Sequence, residues 1–220
     1  MKARAVSGVV VASIALAGAT LAGWWATRPP PPDPLATWKG PSTDPHENRL
    51  RKLARTGGDT ARLRVPPHWN ARREEAIVVL LHTDADASGS AVATRFLGLM
   101  EGPWLLVLPE APGVVQGKHR WTGVDDERAG VEGWVEQVGR DYRTRSGKIL
   151  WIGEAESAGL AEAHGCAGGD AIVRRSAAPC AERGTAWAWI STAGRWQPVD
   201  QPTDPAAWFT EAVTAWNERP

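Results

Sequence analysis

Three apolar runs, AIVVLL at 76–81, WLLVLP at 104–109 and KILWIG at 148–153, constrain this chain more than any other feature. A strand with one wet face alternates apolar and polar side chains, so runs without alternation need cover on both faces. The stretches between them supply it. Ser88 is placed to cap a helix through Glu101 on which Val92, Phe96, Leu99 and Met100 share a face. A helix over about 125–143 sets Val131, Trp134, Val135, Val138 and Tyr142 at helical spacing, with acids in its first turn. Asp204-Pro205 opens a last helix that buries Trp208, Phe209, Ala212, Val213 and Trp216. ARLRVPP at 61–67 reads as an edge strand stopped by its proline pair, and TAWAWI at 185–190 as the last strand. Strands interleaved with amphipathic helices predict a three-layer α/β domain, a mostly parallel sheet with helices on both faces. Ligands in such sheets gather at the carboxyl ends of the central strands. That points to four loops, at 82–88, 110–121, 154–159 and 191–196.

The amino-terminal part reads differently. Lys2 and Arg4 precede residues 5–27, which carry no charge and end in Trp24, Trp25, Ala26 and Thr27. At about 1.5 Å per residue that length spans a bilayer. The basic start predicts a cytoplasmic amino terminus, and the tryptophans fit an interfacial belt. The rival reading is a cleaved signal peptide with Thr20-Leu21-Ala22 as the small-x-small site. Both export the rest of the chain, as an inner-membrane single-pass protein or as a secreted, periplasmic one. Residues 28–58 then form a linker whose RPPPPDP is a stiff spacer, with a short basic helix around 46–55; the folded domain occupies 59–220. Cys166 and Cys180 are the chain's two cysteines, and an oxidising compartment lets them join. Twenty-five basic against twenty-five acidic residues give no field for a polyanion, so nucleic acid is not an expected partner.

The pieces together resemble the α/β-hydrolase superfamily, in particular secreted esterases of the polyhydroxybutyrate-depolymerase and feruloyl-esterase kind. The residues that carry the likeness are RLRVPPHWNARREEAIVVLLH, WLLVLPEAPG, Trp121 followed by Asp125-Asp126, and KILWIGEAESAGLAEA. Their order and spacing make the case, over about residues 60–165. The resemblance implies a sharp strand-to-helix turn after KILWIG, where Gly-x-Ser-x-Gly would expose a nucleophilic serine.

The departures from that pattern decide what to expect of the chemistry. Aligned without gaps, Gly153-Glu154-Ala155-Glu156-Ser157 puts Ala155 at the nucleophile, and a methyl group cannot attack a carbonyl. A shift of two puts Ser157 there, at the cost of carrying Glu154 within an apolar strand. The histidines are 46, 68, 82, 119 and 164, so none lies in the last 56 residues, where the family order places the base. The oxyanion position reads His82-Thr83-Asp84 where the pattern wants glycine after histidine. A carboxylate about 6 Å from a developing oxyanion, at an effective dielectric of about 20, costs on the order of 3 kcal/mol. Only one strand is expected after the elbow helix, with the tail that would bring the histidine replaced by the last helix.

The expected function is therefore that of a membrane-anchored, extracytoplasmic α/β-hydrolase-like protein without catalysis, acting in binding or as a partner of an envelope protein or small molecule. No cofactor and no metal are expected. Two other readings stay open: an active serine carboxylesterase using Ser157, and a cation- or glycan-binding module. For the cation, the crevice acids would be Asp84, Asp86, Glu110, Glu154 and Glu156, whose plainer role is pairing with nearby arginines. For the glycan, Trp121, Trp187, Trp189 and Trp196 would form a stacking surface, although Trp187 and Trp189 suit core packing better.

Overall fold

The alternation of buried strands and helices is realised around one eight-stranded sheet. The computed structural model describes residues 50–54, 60–67, 69, 72–86, 88–121, 124–174, 188–192, 194–199 and 204–219. The strands are β1 (Leu50–Ala54), β2 (Thr60–Arg64), β3 (Glu75–Leu80), β4 (Leu105–Pro109), β5 (Gly113–Val115), β6 (Lys118–Arg120), β7 (Thr144–Glu154), β8 (Asp170–Arg174), β9 (Ala188–Thr192) and β10 (Arg195–Val199). Four helices join them, α1 (Gly89–Arg95), α2 (Val124–Asp141), α3 (Ala158–Cys166) and α4 (Pro205–Asn217). The order across the sheet is β1-β2-β4-β3-β7-β8-β9-β10, while β5 and β6 form a separate hairpin. The four central strands β4, β3, β7 and β8 are parallel. Both flanks are antiparallel, β1 and β2 on one side, β9 and β10 on the other. The sheet is thus mixed, and parallel where the expected buried runs lie.

Alternate residues of the central strands go to opposite faces. Ile77 and Val79 of β3, Leu105 and Val107 of β4, and Trp151 of β7 pack against Val131, Trp134, Val135 and Val138 of α2 and Leu160 and Ala161 of α3. Val78, Leu80, Leu106, Leu108, Leu150 and Ile152 pack against Val92 and Ala93 of α1 and Phe209, Val213 and Trp216 of α4. Helices on both faces of one sheet give the three layers expected. The caps also fall as read: Ser88 Oγ accepts from the Ala91 N–H at 3.1 Å, and Asp204 accepts from Ala206 and Ala207.

Several expectations need correction. Residues 50–54 are strand β1 and not a helix, so the sheet begins nine residues before the expected boundary at 59. Leu50 and Leu53 are three apart, a helical spacing, yet in a strand that odd separation sends them to the two opposite cores. The strand β2 lies between β1 and β4 and is not an edge. The helix from Ser88 stops at Arg95, and a separate single turn spans Leu97–Met100. Three strands follow the elbow helix, not one. The apolar run of β8, Ala171–Val173, is only three residues between Asp170 and Arg174, and β10 contains Pro198. Residues 1–49, which include the apolar segment, lie outside the described residues. Among the described residues no helix is long and apolar enough to cross a membrane. Cys180 and Trp187 also lie outside them, and with Cys180 falls its expected bridge to Cys166, the last residue of α3.

Candidate functional site

The carboxyl ends of β4, β3, β7 and β8 meet at the bend between β7 and α3. Strand β7 runs to Glu154, and the chain then turns through a single tight turn, Ala155–Ser157, into α3. Ala155 has φ +48°, a left-handed conformation that a residue with a Cβ adopts at a cost of about 1–2 kcal/mol. The bend is tight enough to need glycine two residues earlier. A Cβ on Gly153 would lie 2.6 Å from the Ser157 carbonyl oxygen and 3.1 Å from Ala158 Cα. A strained apex preceded by an obligatory glycine is the strand–turn–helix device that exposes a nucleophile above a sheet. Here Ala155 occupies the apex, and it is exposed.

Ser157 faces the other way. It is wholly buried, and its Oγ donates to the Glu154 carbonyl at 3.0 Å and accepts from the Glu154 N–H at 3.3 Å, with the Leu81 carbonyl 3.4 Å away. The hydroxyl closes the turn on itself and is not presented to the crevice.

The three described histidines, His82, His119 and His164, make structural contacts. His82 is wholly buried; its Nε2 accepts from the Ala111 N–H at 3.0 Å, so Nδ1 carries the proton and donates to the Thr83 carbonyl at 3.0 Å. Nε2 ties the end of β3 to the end of β4, and Nδ1 is spent on the next residue of its own loop. Trp121 donates to the His82 carbonyl at 2.8 Å and lies against the imidazole, ring centroids 5.2 Å apart. His119 bonds the Ala111 carbonyl through Nδ1 at 2.7 Å. His164 stacks on Trp151 at 4.7 Å; burial, reinforced by Arg128, holds its imidazole below the usual range. None of these rings makes a hydrogen bond to Ser157 among the described residues.

The loop after β3 would have to donate an N–H to an oxyanion. The Thr83 N–H instead donates to Asp86 Oδ2 at 2.8 Å, and the Thr83 hydroxyl donates to the same oxygen at 2.8 Å. Arg95, at the end of α1, grips Asp86 with two bonds, Nε to Oδ1 at 3.0 Å and the terminal nitrogen to Oδ2 at 2.6 Å. Burial alone would raise the Asp86 carboxyl, but Arg95 and Thr83 outweigh it and hold it below the usual range. The same guanidinium bonds Glu154, which also pairs with Arg174 of β8 at 3.2 Å. Asp86, Arg95, Glu154 and Arg174 therefore form a neutral chain of alternating charge across the ends of three neighbouring strands. Arg95 and Arg174 were missed in the sequence, because only the fold shows which arginine meets which acid.

The remaining crevice acids are used one by one. Asp84 pairs with Arg120 at 3.4 Å, Glu110 accepts from the Gly89 N–H at 2.7 Å, and Glu156 is exposed. Among the described residues no group of three or more acids, histidines or cysteines could hold a metal ion. The loop at 191–196 lies at the opposite end of the sheet, because β9 runs antiparallel to β8. Trp189 and Trp196 are core residues, Trp196 against Gly165 of α3, so they line no open stacking surface.

The architecture is a three-layer α/β domain built on a mixed eight-stranded sheet. No protein-family model and no curated protein matches this chain. Solved structures do. A ferulic acid esterase aligns at 18% identity and a TM-score of 0.41, over 76% of this chain and 68% of that one. A thermostable esterase aligns at 15% identity and a TM-score of 0.39, over 51% of this chain. The matched part spans 36% of that esterase's length.

Proposed function

We propose that this chain is an extracytoplasmic protein, held at the membrane by residues 5–27, that uses an α/β-hydrolase-like domain for binding and not for ester hydrolysis. The observation that carries the reading is Ala155 at the apex of the bend, where the fold offers a side chain to a substrate and this sequence offers a methyl group. The neighbouring arrangement supports it. The Thr83 amide is taken by Asp86, and both nitrogens of His82 are engaged. What the strand ends present instead is a neutral, arginine-clamped surface, suited to a small molecule or an envelope protein.

A fluorophosphonate probe is expected to leave the protein unlabelled. Ala155→Ser is expected to remain unlabelled and to hydrolyse p-nitrophenyl acetate no faster than the parent, since among the described residues no imidazole is hydrogen-bonded at the bend, where a base would have to take the proton. Labelling of the parent at Ser157, or turnover by Ala155→Ser, would overturn the reading. For the anchor, the full chain is expected to stay with membranes through alkaline carbonate washing. It should also show no free thiol until reduced, with Cys166 joined to Cys180; release by the wash, or two titratable thiols, refutes that part.

A further inference from the structure

A second site lies at the other end of β7. There β7 departs from its neighbour: Glu75 pairs with Thr144 and Ile77 pairs with Ile149, so residues 145–148 are looped out against a single residue of β3. Such bulges re-aim side chains at sheet margins and beside functional sites. Gly147, with φ +71° and open space around it, makes the turn, and Arg145 and Lys148 flank it. They line a cavity of about 390 Å³ with Asp170, Thr192, Trp216 and Arg219.

The charges there do not balance. Arg145 donates to the Asn217 carbonyl, Lys148 to the Arg219 carbonyl at 2.7 Å, and Arg219 to the Thr192 hydroxyl at 2.8 Å. All three acceptors are neutral, and none of the three cations forms an ion pair among the described residues. Asp170 is the one carboxylate of the lining, and its Oδ2 accepts from the Trp216 indole at 2.7 Å. Lys148 also lies over the Trp216 ring, 4.9 Å from its centroid, which fixes the ammonium. The lining sets three cations against one acid, and the Glu75 carboxylate near Arg145 offsets part of the excess, which leaves the cavity positive. Burial, with Arg145 and Arg219 nearby, outweighs Asp170 and holds the Lys148 ammonium below its usual range.

We infer that this cavity is a binding site for a compact dianion of the phosphate class, free or as a small phosphomonoester, with Arg145, Lys148 and Arg219 as its ligands. Two guanidinium groups and an ammonium offer directed and point-charge contacts to tetrahedral oxygens. The six residues of β7 from Ile149 to Glu154 put about 20 Å between this cavity and the elbow.

The test is calorimetry of the full chain in neutral detergent at physiological salt, with inorganic phosphate and glycerol 3-phosphate titrated separately. Saturable binding near one equivalent is expected for at least one of them; the tighter of the two tells whether the anion is free or esterified. Arg145→Gln with Lys148→Met is expected to weaken it at least tenfold, while Lys118→Met on the β5–β6 hairpin leaves it unchanged. A second measurement needs no variant: phosphate should slow acylation of Lys148 and spare that of Lys118. No saturable binding of either anion, equal affinity in the double variant, or acylation of Lys148 unaffected by phosphate would overturn the inference.

Discussion

Gly153→Val is expected to cost about 3 kcal/mol or more, a fall in Tm of roughly 6–12 °C for a domain of this size. The obstacle is backbone on the facing side. The first added carbon already meets the Ser157 carbonyl oxygen at 2.6 Å and its carbonyl carbon at 3.0 Å, and neither can rotate away. Relief requires lifting α3 from the sheet, which would withdraw Ala158, Leu160 and Ala161 from the core. Gly139→Ala supplies the control. A Cβ there meets nothing closer than the Thr144 hydroxyl at 3.7 Å, and alanine within α2 should gain up to about 1 kcal/mol over glycine. Thermal unfolding of both variants decides it. If Gly153→Val melted with the parent, the tight bend described for Ala155 would be wrong.

Arg64→Met is expected to cost about 2–4 kcal/mol, from carbonyls left without donors, read as a lower urea midpoint with an unchanged slope. Arg64 is 1% exposed, an unusual place for a guanidinium. From β2 it donates to the carbonyls of Leu99, Gly102 and Trp104, at 3.1, 2.7 and 3.1 Å, and so holds the turn that feeds β4. The methionine stem would fill the same space, so the loss measured is that of the donors. The Leu99 carbonyl keeps a bond from the Trp104 indole at 3.0 Å, whereas those of Gly102 and Trp104 lose their Arg64 donors. Arg64→Lys, with one charged head in place of a fork, should recover only part of the stability. Full stability in Arg64→Met would refute the role given to these bonds.

What the sequence disclosed and what it concealed follow from the range of the forces involved. The central runs were readable because burial on both faces imposes unbroken apolarity, and the helix at 205–217 because Asp204 and Pro205 act locally. Ala155 does lie at the bend, but not because a charged Glu154 stays out of the strand: β7 runs through Glu154, whose charge is met by Arg95 and Arg174, partners that no local pattern shows. Strand β1 was hidden by the helical spacing of Leu50 and Leu53. The bulge at 145–148 and the pairing of Arg95 with both Asp86 and Glu154 depend on contacts distant in the chain, and no local pattern announces them. Arg64 was invisible for the same reason: nothing about an arginine in a strand says that carbonyls 35 to 40 residues away will receive it.

The outermost of the described strands, β1 and β10, set how this domain can meet its neighbours. β1 carries Arg51 and Lys52, and β10 carries the exposed Arg195, Gln197 and Pro198, the last with no N–H to offer. Cations and proline along a margin discourage another chain from adding itself by backbone pairing. Crowding many copies onto one surface would then not knit them into a continuous ribbon, and recognition is left to side chains, which can distinguish one visitor from another.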